Sequence, residues 1–302
     1  RPNLLRFDRS WSAGGLLCSY IHPIAAAPGA QANRQRANAT IETMPIPSLV
    51  AFDLDDTLAP SKSAVDPRML DVFARLLNRT TVAVISGGNF EQFEAQLVSR
   101  LEAFGEQGGV DETALERLHL LPTCGTRYER REGGAWRTVY QENLEPAQRD
   151  AAFAALREEA ERLGVWESET WGEILEDRGS QVTFSALGQQ APVAAKQEWD
   201  RDGAKKNALR AAVAARLPEL EVRSGGSTSV DITRRGIDKA YGMRKLAELT
   251  GISLDDMLFI GDRLDTDIAG AQTAGIPSVL VLTGVDRPKH VLAAPPTSRP
   301  TF

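Results

Sequence analysis

The run Leu49-Val-Ala-Phe-Asp-Leu-Asp-Asp-Thr-Leu58 limits what this chain can fold into more than any other segment. Apolar residues bounded by polar ones read as a buried strand of a sheet covered on both faces. The run stops in Asp53, Asp55 and Asp56, with Thr57 behind them. Carboxylates crowded at one strand end repel one another unless a cation lies among them. In an open α/β sheet the carboxyl end of a strand is also where ligands bind. The segment therefore predicts a metal-assisted catalytic site at the end of a strand Leu49–Leu54.

Three further short runs rich in Val, Leu and Ile, at Thr80–Ile85, Met257–Ile260 and Ser278–Leu282, have the same habit. Amphipathic stretches lie among them at Pro67–Leu77, Phe90–Leu101, Lys239–Thr250 and Thr266–Ala274. Alternating strands and helices predict an α/β core, a Rossmann-like, doubly wound parallel sheet. The middle of the chain reads differently. Residues 126–142 and 174–187 read as extended segments with solvent-facing polar positions, and Gly133-Gly134 as a hairpin turn. Residues 146–163 and 203–216 read as Ala-rich surface helices, and Leu220–Thr233 as another extended segment. These predict an α+β module with an antiparallel sheet over 126–235, inserted between core segments 46–125 and 236–302.

A length of 302 residues suits two modest domains. The net charge of −6, without a basic stripe carrying interleaved aromatics, argues against a large nucleic-acid footprint. No uninterrupted apolar run is long enough to span a bilayer, so no membrane partner is expected. Cys18 and Cys124 make neither a disulfide framework nor a zinc-ligand spacing, which points to a reducing, cytoplasmic setting. Residues 1–45 are expected to be a disordered extension upstream of a start at Met44. A signal peptide is the alternative, but Ser19, Tyr20, His22 and Pro23 interrupt its would-be apolar region.

Each core strand ends in chemistry. The second stops at Ser86-Gly87-Gly88 before a helix, where a hydroxyl and free backbone N–H groups suit an anion. The third stops at Gly261-Asp262, with Asp265 and Asp267 close behind, and Lys239 opens the helix that precedes it. In this order, Asp53 with Asp55, then Ser86, Lys239 and Asp262 resemble the four motifs of the haloacid dehalogenase (HAD) superfamily of phosphotransferases, over residues 46 to about 284. The resemblance implies that Asp53 is the nucleophile, accepting the phosphoryl group as an aspartyl phosphate. It implies that Asp55 is general acid and base, that Ser86 with Gly87 binds the phosphoryl oxygens, and that Lys239 neutralises them. It implies Mg²⁺ held by Asp262, the Asp53 side chain and the Asp55 backbone carbonyl, with Asp267, or Asp265 instead, supporting the metal shell. Alternation along an extended segment puts Asp56 on the opposite side, as a structural residue.

The insert lies where this superfamily places a C2 cap, and its pattern looks like the IIB type. Glu176–Phe184, Gly225–Ile232 and Gly236-Ile-Asp-Lys239 resemble segments of the eukaryotic phosphomannomutases. By that resemblance Arg178, Ser229 and Asp231 would meet the sugar or its distal phosphate. The alternative is an Arg178 paired with a neighbouring acid, and Ser229 and Asp231 as sheet-surface polars. Phosphomannomutases carry an Arg where this chain has Ser61-Lys62, and further cap arginines where Ser185–Lys196 offers only Lys196. Arg forks grip phosphates better than Lys point charges. The scarcity favours a phosphatase of small phosphorylated metabolites, sugar phosphates first, over a hexose phosphate mutase. A catalytically lapsed binding module would not need Asp53, Asp55, Lys239 and Asp262 together. Residues 261–268, 274–277 and 282–285 resemble IIA phosphatases instead, so a IIB-like body carries a IIA-like end, by recombination or in an incomplete chain.

Overall fold

The computed structural model describes residues 46–225 and 228–302; the N-terminal extension expected over 1–45 lies outside them. The chain enters the core sheet with β1 (Leu49–Phe52), then α1 (Pro67–Leu77) and β2 (Thr81–Ile85). Pro67 sits at the first position of α1, and Asp66 caps it by accepting from the backbone N–H groups of Arg68 and Met69. The expected helix Phe90–Leu101 forms as α2 (Phe90–Phe93), a π-helical turn Glu94–Val98 and α3 (Ser99–Glu106). After α4 (Glu112–Leu115) come β3 (Leu118–Leu121), β4 (Arg127–Glu132) and β5 (Ala135–Gln141).

The middle of the chain comprises α5 (Pro146–Arg162), β6 (Leu175–Asp177), β7 (Gln181–Ser185), α6 (Val193–Trp199), α7 (Ala204–Arg216), β8 (Leu220–Ser224) and β9 (Ser229–Arg234). The return to the core brings α8 (Lys239–Thr250), β10 (Met257–Gly261), a π-helical turn Leu264–Ile268, α9 (Ala269–Ala274), β11 (Ser278–Leu280) and α10 (Pro288–Ala293). No helix among the described residues is long and apolar enough to cross a membrane.

The core sheet runs β11-β10-β1-β2-β3-β4-β5, parallel through β3 and antiparallel at the last two pairings. Successive residues of a strand serve opposite faces. Val82 and Val84 join a cluster with Phe73, Leu77, Leu97 and Leu101. Ala83 and Ile85 join Met243, Leu246 and Phe259 on the other face. Helices thus cover both sides, and the continuous apolar runs that predicted a doubly wound sheet are explained by it.

A second sheet, ordered β6-β7-β9-β8, is antiparallel throughout. Its apolar face, with Val182, Phe184, Val230 and Ile232, packs on Ala152, Leu156, Leu209 and Val213 of α5 and α7. Two expectations are corrected here. The hairpin β4–β5 turns at Gly133-Gly134 as predicted, but it extends the core sheet, so it does not belong to the insert drawn at 126–235. The stretches 174–187 and 220–233 are not single extended segments either: the chain reverses after Asp177 and again after Ser224, so each opens or carries a hairpin.

Candidate active site

β1 lies between β2 and β10, and the chain leaves them in different directions. This is the switch point at which a doubly wound sheet opens a crevice beyond its carboxyl ends. Asp53, Ser86 and Asp262 follow directly on those three strands. All three are buried, as are Asp267 and Lys239.

Lys239 is the centre of the charge pattern. Asp238 caps α8 by accepting the Tyr241 N–H at 2.7 Å, which starts the helix at Lys239 and aims that side chain into the crevice. Its ammonium donates to Asp53 Oδ1 at 2.6 Å and, in a still shorter contact, to Asp267 Oδ1. Burial alone would lower the ammonium, but the Asp267 and Asp53 carboxylates outweigh it and hold Lys239 above the ordinary lysine range. Burial likewise raises the Asp53 carboxyl, Lys239 pulls it down, and Asp267 and Asp55 push it up again. Asp262 is raised to about 6, chiefly by burial, against the pull of the Val285 N–H on its Oδ2 at 2.7 Å.

Carboxylate oxygens of Asp53, Asp262 and Asp267 lie within 4.8 Å of one another. A set of hard oxygen donors at such spacing suits Mg²⁺ or another hard cation. Two glycines make the room. A Cβ on Gly284 would collide with the Asp262 carboxylate, and one on Gly261 with Asp267. Asp267 Oδ2 also accepts the backbone N–H groups of Asp262 and Arg263, at 3.0 and 3.1 Å. Asp267 therefore ties Lys239 to the Asp262 loop. Asp265 does not enter the cluster: it is exposed and paired with Arg263.

Ser86 accepts the Gly88 N–H at 3.2 Å, and a Cβ at Gly87 would meet open space. Asp55 turns its carboxylate toward Gln92 and Gln96. Asp56 has φ +60°, and its carbonyl accepts the Thr283 hydroxyl at 2.8 Å.

The second sheet meets this crevice with its polar face. Arg178 donates to the Gly87 carbonyl at 2.8 Å while pairing with Glu176 at 2.8 Å, so the reach to the site and the pairing with a neighbouring acid are both present. Asp231 accepts from Thr183 at 2.8 Å, its carboxyl raised by burial. The Ser229 hydroxyl lies 3.3 Å from that of Ser185. Lys196 and Lys62 both donate to the Gln189 carbonyl, at 3.1 and 3.2 Å. Burial, then the neighbouring Lys62, lowers the Lys196 ammonium to about 8. A cleft of about 520 Å³ between Glu102, Glu112 and Arg131 contains none of these residues.

Gln92, Gln96 and Gln189 escaped the sequence reading. Gln92 and Gln96 carried one usable signal, a spacing of four on the helix that follows Ser86-Gly87-Gly88.

Residues 238–302, which carry Lys239, Asp262 and Asp267, match the family model described as HAD-hydrolase-like. Over 45 residues the chain is 56% identical to the D-glycerol 3-phosphate phosphatase of Mycobacterium tuberculosis, a match covering 15% of this chain and 13% of that one. The N-terminally truncated, IMP-bound IMP-nucleotidase of Plasmodium falciparum superposes with a TM-score of 0.56 at 12% identity, covering 82% of this chain and 66% of that one. A Eubacterium rectale protein superposes with a TM-score of 0.52 at 16% identity, covering 83% and 92%. The family match rests on that C-terminal segment, and the likeness to the solved structures is one of fold.

Proposed function

We propose that the chain is a Mg²⁺-dependent phosphatase of small phosphorylated metabolites, sugar phosphates first among them, working through an aspartyl phosphate on Asp53. The observation that carries this reading is the buried Asp53–Lys239–Asp267 chain beside Asp262, set at the switch point of the sheet. The names of the relatives, a D-glycerol 3-phosphate phosphatase and an IMP-nucleotidase, agree with hydrolysis of small phosphate esters.

A phosphate and a carboxylate repel each other, and the Lys239 ammonium, held charged, offsets that repulsion. Asp53, Asp262 and the Asp55 carbonyl would hold Mg²⁺, which when bound supplies further charge neutralisation on the phosphoryl oxygens. The Ser86 hydroxyl can donate to a phosphoryl oxygen while it accepts from Gly88. Carboxylate attack by Asp53 splits the transfer into two easier steps. Asp55 protonates the leaving oxygen in the first and takes a proton from water in the second.

Residues 143–235 are read as a C2 cap of the IIB type. Its polar strand face supplies Arg178, Ser229 and Asp231 to the sugar, and the loop and helix after β7 supply Lys196. Arg178 Nε and Gln189 Nε2 are buried without a protein partner, which suits a polar substrate at this seam. A panel of hexose phosphates assayed with Mg²⁺ and with chelator, scoring phosphate release and isomer formation, tests the reading. Phosphate release that needs Mg²⁺ and is lost in Asp53→Asn supports it. Isomer formation without net release would favour a mutase instead.

A further inference from the structure

The Asp55 carboxylate is held from both ends. Its Oδ1 accepts the Lys62 backbone N–H at 2.7 Å and the Gln96 side-chain amide at 3.2 Å, and its Oδ2 accepts the Gln92 amide at 2.8 Å. The two amides are chained to each other. Gln92 Nε2 also donates to Gln96 Oε1 at 2.8 Å, and Gln96 Nε2 donates to the Ser63 carbonyl at 2.8 Å. The result is a closed ring of directed hydrogen bonds. Turning Gln96 over would set its oxygen against the Ser63 carbonyl, so the ring fixes which end of each amide faces the acid.

The local fold is built around this ring. Gln96 lies inside the π-helical turn Glu94–Val98 and is 2% exposed. Such turns interrupt α-helices frequently at functional sites. Gln92 is half-buried and lies over Gly88, where a Cβ would collide with its amide. The structure spends a buried glutamine, a helix irregularity and a glycine on one carboxylate.

We infer that Gln92 and Gln96 are positioning residues for proton transfer by Asp55. Two donors anchor Oδ1; one steers Oδ2 and leaves that oxygen a lone pair for the travelling proton. In the first half-reaction the Asp53–phosphorus bond forms, the bond to the leaving oxygen breaks, and the proton on Asp55 Oδ2 passes to that oxygen. In the second, water adds to phosphorus, its proton goes to Asp55 Oδ2, and the Asp53–phosphorus bond breaks. The inference rests on the phosphatase reading.

The test compares kcat/KM, which reports the steps up to the phosphoenzyme, for an alkyl phosphate and for p-nitrophenyl phosphate. The alkyl leaving oxygen needs the Asp55 proton; the nitrophenolate leaves without it. In Gln96→Met and Gln92→Met the alkyl ester is expected to lose about 10–10²-fold, and the aryl ester less than about threefold. A merely structural role would not separate the two esters. Equal losses, or no loss on either ester, would overturn the inference. Gln92→Met changes a half-buried site and keeps the comparison available where Gln96→Met fails to fold. An unmodified enzyme inactive on both esters, and on the hexose phosphates, would remove the phosphatase reading itself and this inference with it.

Discussion

At Lys239 one ammonium faces two carboxylates in a space nearly closed to water. Removing one partner of a buried pair leaves uncompensated charge, at a cost of about 3–5 kcal/mol. Lys239→Met is therefore expected to lose roughly 3 kcal/mol in urea unfolding, part of it restored by Mg²⁺. Full stability without Mg²⁺ would contradict the charge account. Lys196 makes a pH prediction. Its ammonium is held near 8 against the ordinary 10.5, so it loses its charge as pH rises through about 8. KM for a phosphorylated substrate should rise across that interval, and Lys196→Met should flatten the profile. Stability moves the other way: between about 8 and 10.5 the unfolded chain binds more protons than the folded one, so this group's contribution rises with pH. Asp53, Ser86, Lys239 and Asp262 were legible in the sequence because each has a distinctive type at the end of an apolar run or the start of a helix. Gln92 and Gln96 were not. A glutamine on an amphipathic helix reads as a solvated face, and the π-helical turn that buries Gln96 leaves no mark in periodicity.

Elements carry the rest of the geometry. Four of the seven core strands, β1, β2, β10 and β11, were readable from apolar runs, and four helical stretches from amphipathic periodicity; β3 was not read. The hairpin at 126–142 was readable as a hairpin but not as part of the core. Its alternation would fit an edge of either sheet. What attaches it to β3 is the turn at Thr123 and Cys124, both in the left-handed region at φ +48° and +55°. Gly125, at φ +85°, completes the turn and is the one residue of it that signals a left-handed backbone; Thr123 and Cys124 do not. The loop after β11 shows the reverse case, a small residue with a decisive place. Gly284→Ala sets a methyl group against the Asp262 carboxylate, with no left-handed φ involved. The expected outcome is weaker Mg²⁺ binding by at least about tenfold, read by titration calorimetry, at little cost in thermal stability. Unchanged Mg²⁺ affinity would count against Asp262 as a ligand.

Across the molecule, the second sheet is held against the core by contacts on both sides of the crevice. Asn89 donates to Glu176 at 2.7 Å, Arg178 reaches Gly87, and Lys62 reaches Gln189. Where the chain passes between the two sheets, Glu142 accepts from Arg234 and Tyr241, both at 2.6 Å, and pairs with Lys245 at 3.1 Å. It thereby ties both connecting segments to α8. Glu142→Ala should lower unfolding stability by roughly 1 kcal/mol, since its partners are partly solvated, and make the connecting segments more open to protease. Unchanged proteolysis would show that the connection does not depend on it.

The central claim is that Asp53 carries the phosphoryl group. An acid-quenched single turnover with a phosphate ester and Mg²⁺, followed by borohydride reduction and peptide mass spectrometry, reads it directly. The account predicts homoserine at position 53, formed only with substrate and absent in Asp53→Asn. Full turnover with an unmodified Asp53 peptide at every quench time, or reduction at another carboxylate, would contradict it.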